Sequence, residues 1–353
     1  MAKLYNLARM STATTGTTAT ISLFAAVSGF LSFAAAGVQD GDIVSYGITD
    51  GSSSEVGWGK YTAAGTALTR NPIASTNSNN PISLSGAAQV FITGLASDFH
   101  LPDNYLSGLT LSNDGTSPNT VIDVAAGVAA DAGNVELMRL TSAITKSISS
   151  TWAVGSGNGG LDSGSVAAST WYHVWLIRRP DTGVVDALIS TSATGPTLPT
   201  NYTQQRRIGS IKTDGSSHIV AFVQNGNEFV WNAFVTDFDV TNPGTSAITR
   251  TLTVPTGIKV RARGSIAITL ANSLNSACHF LISDLAISDQ TVNFNGPSQV
   301  GADNASTSVN SVSSGTFAVW TNTSAQVRTR AEFSDSTTRY TGFTWGWDDL
   351  RGQ

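Results

Sequence analysis

Charge is what this chain has least of. Lys, Arg, Asp and Glu together make up 12% of its 353 residues, about half of the usual quarter. The 19 basic residues are scattered and the formal net charge is −5. Binding along a phosphate backbone needs clustered Lys and Arg, so nucleic acid is not an expected partner. Cysteine is nearly absent. Cys278 is the single one, which rules out an intrachain disulfide framework. It lies in the apolar run Ala277-Cys-His-Phe-Leu-Ile282 and reads as a buried thiol packed as a small hydrophobe. The 4 histidines, His100, His173, His218 and His279, stand apart without HxxxH or HExxH spacing, so no metal site is expected. No GxSxG elbow occurs, which leaves a serine hydrolase without its central turn. Heptads, collagen-like triplets and long repeats are missing as well, so a fibre shaft is not encoded here.

What remains is β chemistry. An apolar fraction of 41% does not fit a disordered chain, and 34 glycines with abundant Ser, Thr and Asn suit many turns and Ser/Thr-faced strands. The uncharged stretch Ala19–Val38 follows Lys3 and Arg9, and Ala34-Ala-Ala36 mimics a cleavage site. The Thr/Gly/Ala tract of Thr12–Thr20 and the interruption at Gly29 oppose a leader or membrane helix. The expectation is strand, a short helical or looped crossing over Ala25–Gly37, then strand, with no membrane insertion. Val56–Tyr61 with Thr66–Arg70 reads as a hairpin, and Ala88–Thr93 closes a small β domain of residues 1–96. Residues 97–104 form a linker. The body, residues 105–353, reads as a larger antiparallel β-sandwich, jelly-roll-like, with a subdivision near 232–245. Its strands include Arg250–Ala262, Ser265–Leu270 and Phe317–Val327, which alternate with one polar face.

Within the body, Trp171–Ile177 carries bulky groups on both faces, as expected of a strand covered on both sides in a core or subunit interface. Arg179-Pro-Asp-Thr-Gly183 is turn chemistry, and Val184–Ile189 resumes as a strand. Upstream, Gly155, Gly157 and Gly160 match GxGxxG, yet no helix-forming segment follows. A loop joining two strands explains the run better than a nucleotide site, and no cofactor is expected.

Two stretches resemble known modules. Asn113–Ala126, Ala153–Asp162, Trp171–Tyr202, Leu198–Ile211, Asp214–Ser217 and Ile219–Gly226 resemble a module of tail-fibre and related virion proteins of tailed bacteriophages. Ala25–Val38, Gly41–Tyr46, Tyr61–Arg70 and Ser83–Ile92 resemble an N-terminal module recurrent in phage structural proteins. The ending Gly342–Gly352 resembles the usual close of such modules. These resemblances imply a non-enzymatic virion part, at the tail rather than the head. They imply attachment through residues 1–96, with Met1–Met10 as an arm on a neighbouring virion protein such as a tail adaptor, nozzle or capsid subunit. They also imply a homotrimer and contact with host-surface polysaccharide. A capsid decoration or head-fibre protein is the alternative, and a polysaccharide depolymerase a second one. The last would need paired carboxylates, whereas Asp181, Asp186, Glu228, Asp237 and Asp239 mostly sit beside turn residues.

Candidate contact residues cluster near the C-terminus: Trp320, Tyr340, Trp345 and Trp347, followed by Asp348 and Asp349. Alternation puts Trp345 and Trp347 on one face of a strand. Such rings are core or subunit-interface groups, or else platforms on which sugars stack beside polar partners. The acidic doublet suggests a salt partner for Arg351 or a cation ligand.

Overall fold

The computed structural model describes residues 2–98, 102–270, 276–293, 295–304 and 311–351. Among them the fold is all β, with 28 strands and one 3-10 turn at Ala96–Asp98. The chain divides into two compact units, Met1–His100 and Leu101–Gln353. His100 itself and the terminal Gly352 lie outside the described residues.

In the first unit, Ile43–Asp50 and Ser53–Thr62 form a hairpin around Gly51. Its sheet runs in the order Arg9–Ser11, Gln89–Ile92, Ile43–Asp50, Ser53–Thr62, Ala67–Thr69, Thr20–Ser22. Along Ser53–Thr62 every second residue from Glu55 to Tyr61 is buried, the period of a strand with one covered face. The core holds Met10, Ile21, Phe33, Tyr46, Tyr61 and Leu68. The N-terminal residues do not extend as a free arm. Lys3 donates its backbone N–H to the Ile43 carbonyl and Arg9–Ser11 pairs with Gln89–Phe91, because unpaired edge groups find partners in the unit's own sheet. Ala25–Gly37 is a looped crossing with no helix, and no described helix is long and apolar enough to cross a membrane.

One charged residue faces into that core and is answered there. Glu55 and Arg70 have fully buried side chains and pair with each other. Tyr46 donates to Glu55 Oε1 at 3.0 Å, and the Ile82 N–H to Oε2 at 2.8 Å. Arg70 also donates to the carbonyls of Ile82 and Thr18 at 2.9 and 3.2 Å. Burial beside the Glu55 carboxylate drives the Tyr46 phenol far above its ordinary pKa.

The second unit contains two stacked arrangements. In the first, a seven-stranded sheet runs Leu111–Asn113, Val121–Val124, Ile144–Thr151, Asn158–Leu161, Val185–Ser190, Trp171–Arg178, Gln204–Lys212, accompanied by a three-stranded sheet. Trp171–Arg178 and Val185–Ser190 are an antiparallel hairpin closed by Gly183 at φ 74°. The glycine run is not simply a loop. Asn158–Leu161 is an interior strand, parallel to both neighbours, so the sheet is mixed and not purely antiparallel. Its glycines are there for room: a Cβ on Gly159 would stand 2.1 Å from the Thr151 carbonyl oxygen, and one on Gly160 2.9 Å from Ile189 Cδ1.

Trp171–Arg178 is covered on both faces, as its bulk predicts, but by its own chain. Tyr172, Val174 and Leu176 join the main core, while Trp175 and Ile177 pack with Leu188, Tyr202, Trp152 and Leu198. The loop of residues 191–203, through Leu198 and Tyr202, helps cover the second face, so of the two alternatives the strand fits a core and gives no argument for a trimer.

The second arrangement faces a five-stranded sheet, Phe222–Asn225, Glu228–Thr241, Arg339–Asp348, Arg261–Leu270, Ser311–Trp320, with a four-stranded one, Ile248–Thr251, Gln326–Ala331, Ser276–Ser283, Val300–Asn304. Phe280 lies between Phe238 and Tyr340, with ring centroids 6.1 and 5.0 Å away. Two expected strands end early. Residues 252–260 form a loop after Thr251, and a turn at 322–325 separates Trp320 from Gln326. Strand Glu228–Thr241 begins before 232, so the second sandwich starts nearer residue 222 than 232–245.

Candidate functional site

A cleft of about 640 Å³ opens in the second unit between the two sandwiches, within the roughly 300–1,000 Å³ typical of small-molecule sites. Its floor is the strand Gln204–Lys212, which carries Gln205, Arg206 and Arg207. One rim is the loop between Val185–Ser190 and Gln204–Lys212 of the first sandwich, at Ala193 and Thr194. The opposite rim is the 252–260 loop, with Gly257 and Lys259, beside Trp320 at its strand's end. Gly257 has φ +80°, and a Cβ there would stand 2.5 Å from the Ala193 Cβ, so only glycine lets the two rims meet. The C-terminal segment brings Asp349, Leu350 and Arg351 to the floor.

Adjacent arginines, opposite Leu176 and Trp175, are both buried here because this stretch of the strand is covered on both faces; just beyond them the strand bulges, with Val174 facing Gly209 and Ile208 the extra residue. Arg207 holds Asp349 in a two-pronged pair, 2.6 Å on each arm, and reaches Ser210 Oγ at 3.3 Å. Arg206 donates to the Arg351 carbonyl at 3.2 Å and to Asn104 Oδ1 at 3.0 Å. Arg351 adopts φ 50°, its N–H donated to Asp349 Oδ1 at 2.8 Å and its guanidinium turned to Asn227 Oδ1 at 3.1 Å. A non-glycine residue held in that region marks a conformation imposed by its surroundings. Burial and the neighbouring guanidiniums lower the pKa values of Arg206 and Arg351, with Asp131 beyond the cleft partly offsetting this at Arg206 and Asp349 at Arg351. Lys259 is exposed on the rim and forms no ion pair with a described residue. The cleft therefore sets four cationic side chains, Arg206, Arg207, Lys259 and Arg351, against the single carboxylate of Asp349.

The aromatic walls differ. Trp320 is 39% exposed and offers ring surface, whereas Trp175 is 4% exposed and anchors its indole N–H on the Ser192 carbonyl at 3.3 Å. Gln205 is part of the cleft wall, its Oε1 buried and without a hydrogen-bond partner among the described residues. Beneath the floor, His173 is 1% exposed and meets Ser210 Oγ through Nδ1 at 2.9 Å. Burial first, and then the Arg207 charge, bring its pKa down to about 4.

The C-terminal candidates separate into different environments. Trp347 is fully buried, stacked on Phe229 at 5.1 Å and flanked by Trp231 and Trp171 at 4.9 and 5.4 Å. It is a core residue, and no sugar reaches it. Tyr340 is likewise core: its hydroxyl donates to the Phe333 carbonyl and lies 2.7 Å from Cys278 Sγ, the buried thiol expected from the sequence. Burial raises the pKa of that thiol. Trp345 and Trp347 do not share a face. Arg263 pairs with Gly346 and Gly264 with Thr344, so Trp345 is a bulged residue and the alternation breaks at it. Trp345 turns outward onto Phe234, which is 63% exposed, at 5.7 Å. Asp348 pairs with Arg263 at 2.9 Å and Asp349 with Arg207, so neither carboxylate pairs with the Arg351 guanidinium as expected. Among the described residues no group of three His, Cys, Asp or Glu could hold a metal ion.

Of the candidates, Trp320 and Asp349 meet in one cleft, together with Arg206, Arg207 and Lys259, which the sequence reading passed over. A signal was present: two adjacent arginines inside one strand are conspicuous in a chain this poor in charge. No protein-family model matches the chain, and no curated protein matches it.

Proposed function

We propose that this protein is a non-enzymatic structural part of a tailed-phage virion, a tail fibre or fibre base. In this reading the first unit attaches to other virion proteins and the second contacts polysaccharide on the host surface. The observation that carries the binding half is the cleft. It combines an exposed tryptophan with pre-positioned polar groups, the combination that saccharide recognition needs, and every charged group on its floor is held by a partner. Its single carboxylate is clamped by Arg207, which leaves no acid/base pair for glycoside cleavage in the cleft. The virion half rests on the resemblances of residues 1–96 and 103–232. Assembly as a homotrimer follows from them alone and stands as part of the proposal.

Immunogold labelling of intact particles tests the location. Label at the tail, lost when residues 1–96 are deleted, is the expected result. Label over the head in many copies would replace the tail reading with a decoration protein, and particles that keep the truncated body would refute attachment through the first unit.

A further inference from the structure

We propose that the cleft between the two sandwiches binds a saccharide bearing a carboxylate, with Trp320 stacking on a sugar face and Arg207 and Lys259 taking the acid group. The proposal deepens the polysaccharide-binding reading and rests on it. The charge pattern is the reason for the acid. A chain of formal charge −5 with few charged residues nevertheless gathers four cations around one carboxylate in a single cleft. Gathering guanidiniums costs repulsion that an anion relieves, and the one carboxylate lining the cleft, Asp349, already occupies both arms of Arg207.

Donors remain. Arg207 is 7% exposed and its Nε makes no hydrogen bond with a described residue, and Lys259 is exposed on the rim with no ion pair to a described residue. Arginine and lysine are the side chains suited to a carboxylate, as a planar fork and as a mobile point charge. Trp320 and the neighbouring Leu350, 39% and 40% exposed, supply the apolar surface on which a pyranose face can rest. A volume of about 640 Å³ suits a short oligosaccharide and not an extended protein segment.

Isothermal titration of the full chain against digalacturonate, a glucuronate-containing disaccharide and sialyllactose, each beside its neutral methyl ester, tests this. At least one acid should bind about tenfold or more tightly than its ester, with affinity falling as salt rises. Lys259→Gln should shrink that preference, because it removes one of the two groups that take the acid, and an undiminished preference would overturn the role of Lys259. Trp320→Ala should weaken acid and ester together, by about tenfold or more. Both positions are exposed, and a thermal melt checks folding. Equal binding of acids and esters would overturn the proposal and leave polysaccharide binding standing. No binding of any probe at millimolar concentration would overturn the proposal. In that case, adsorption of particles carrying Trp320→Ala decides the broader reading, which fails if adsorption is unchanged.

Discussion

Two buried ion pairs invite comparison. Glu55–Arg70 in the first unit is closed: both side chains have no exposure, and a phenol, a backbone N–H and two carbonyls complete the pair's hydrogen bonds. Arg207–Asp349 in the second unit is as tightly geared, yet it floors a cleft and stands among three further cations. A charge in a protein interior is tolerated only when paired and hydrogen-bonded. The first pair meets that condition and stops there, so its role is to fix how Ser53–Thr62 and the 70–82 segment pack. The second meets it in an open cleft among further cations, which is why we propose it as a place for a ligand.

The largest effects should come from breaking closed environments. Arg70→Met leaves the Glu55 carboxylate buried alone and should cost about 3–5 kcal/mol, read by chemical denaturation. Glu55→Leu combined with Arg70→Met should recover much of that loss, whereas a double variant no more stable than the single one would mean that the pair contributes more than mutual compensation. Trp347→Ala removes the centre of the aromatic cluster and should cost a similar 3–5 kcal/mol or so. Trp345→Ala, on the outward side of the bulge, should change stability by less than about 1 kcal/mol. Comparable losses at the two positions would contradict the bulge.

The next effect is pH-dependent. His173 ionises near 6.5 when unfolded and only near 4 in the fold, because burial and Arg207 oppose its charge. The unfolded chain therefore binds more protons between those values, and stability falls as pH drops through that window. The loss should reach about 3 kcal/mol by pH 4. His173→Gln, which keeps a hydrogen-bonding group beside Ser210, should flatten that part of the stability profile. An unchanged slope from pH 6.5 to 4 would place the acid sensitivity elsewhere. The smallest effect belongs to the open site: Trp320→Ala should alter stability by no more than about 0.5 kcal/mol, since its ring lies at the rim.

Local patterns were legible where local chemistry decides the outcome. The hairpin at Arg179–Gly183, the buried Cys278 and the all-β class follow from turn residues, apolar runs and composition. Readings failed where a neighbour in space decides. Asn158–Leu161 looks like a glycine loop until the flanking strands that need its missing side chains are known. Trp345 and Trp347 alternate on paper, and one inserted residue, visible in the pairing with Arg261–Leu270, parts them. The cleft draws on residues from Asn104 to Arg351. Its parts are far apart in sequence, and only the packing of two sandwiches brings Trp320 to Arg207.

The contrast between the closed and the open pair can be measured directly by following arginine guanidinium NMR signals of the labelled full chain during titration with digalacturonate. The Nε signal of Arg207 should move with added ligand while that of Arg70 stays fixed. Movement of neither signal, or of both together, would contradict the distinction between a pair that holds the fold and a pair that awaits a ligand.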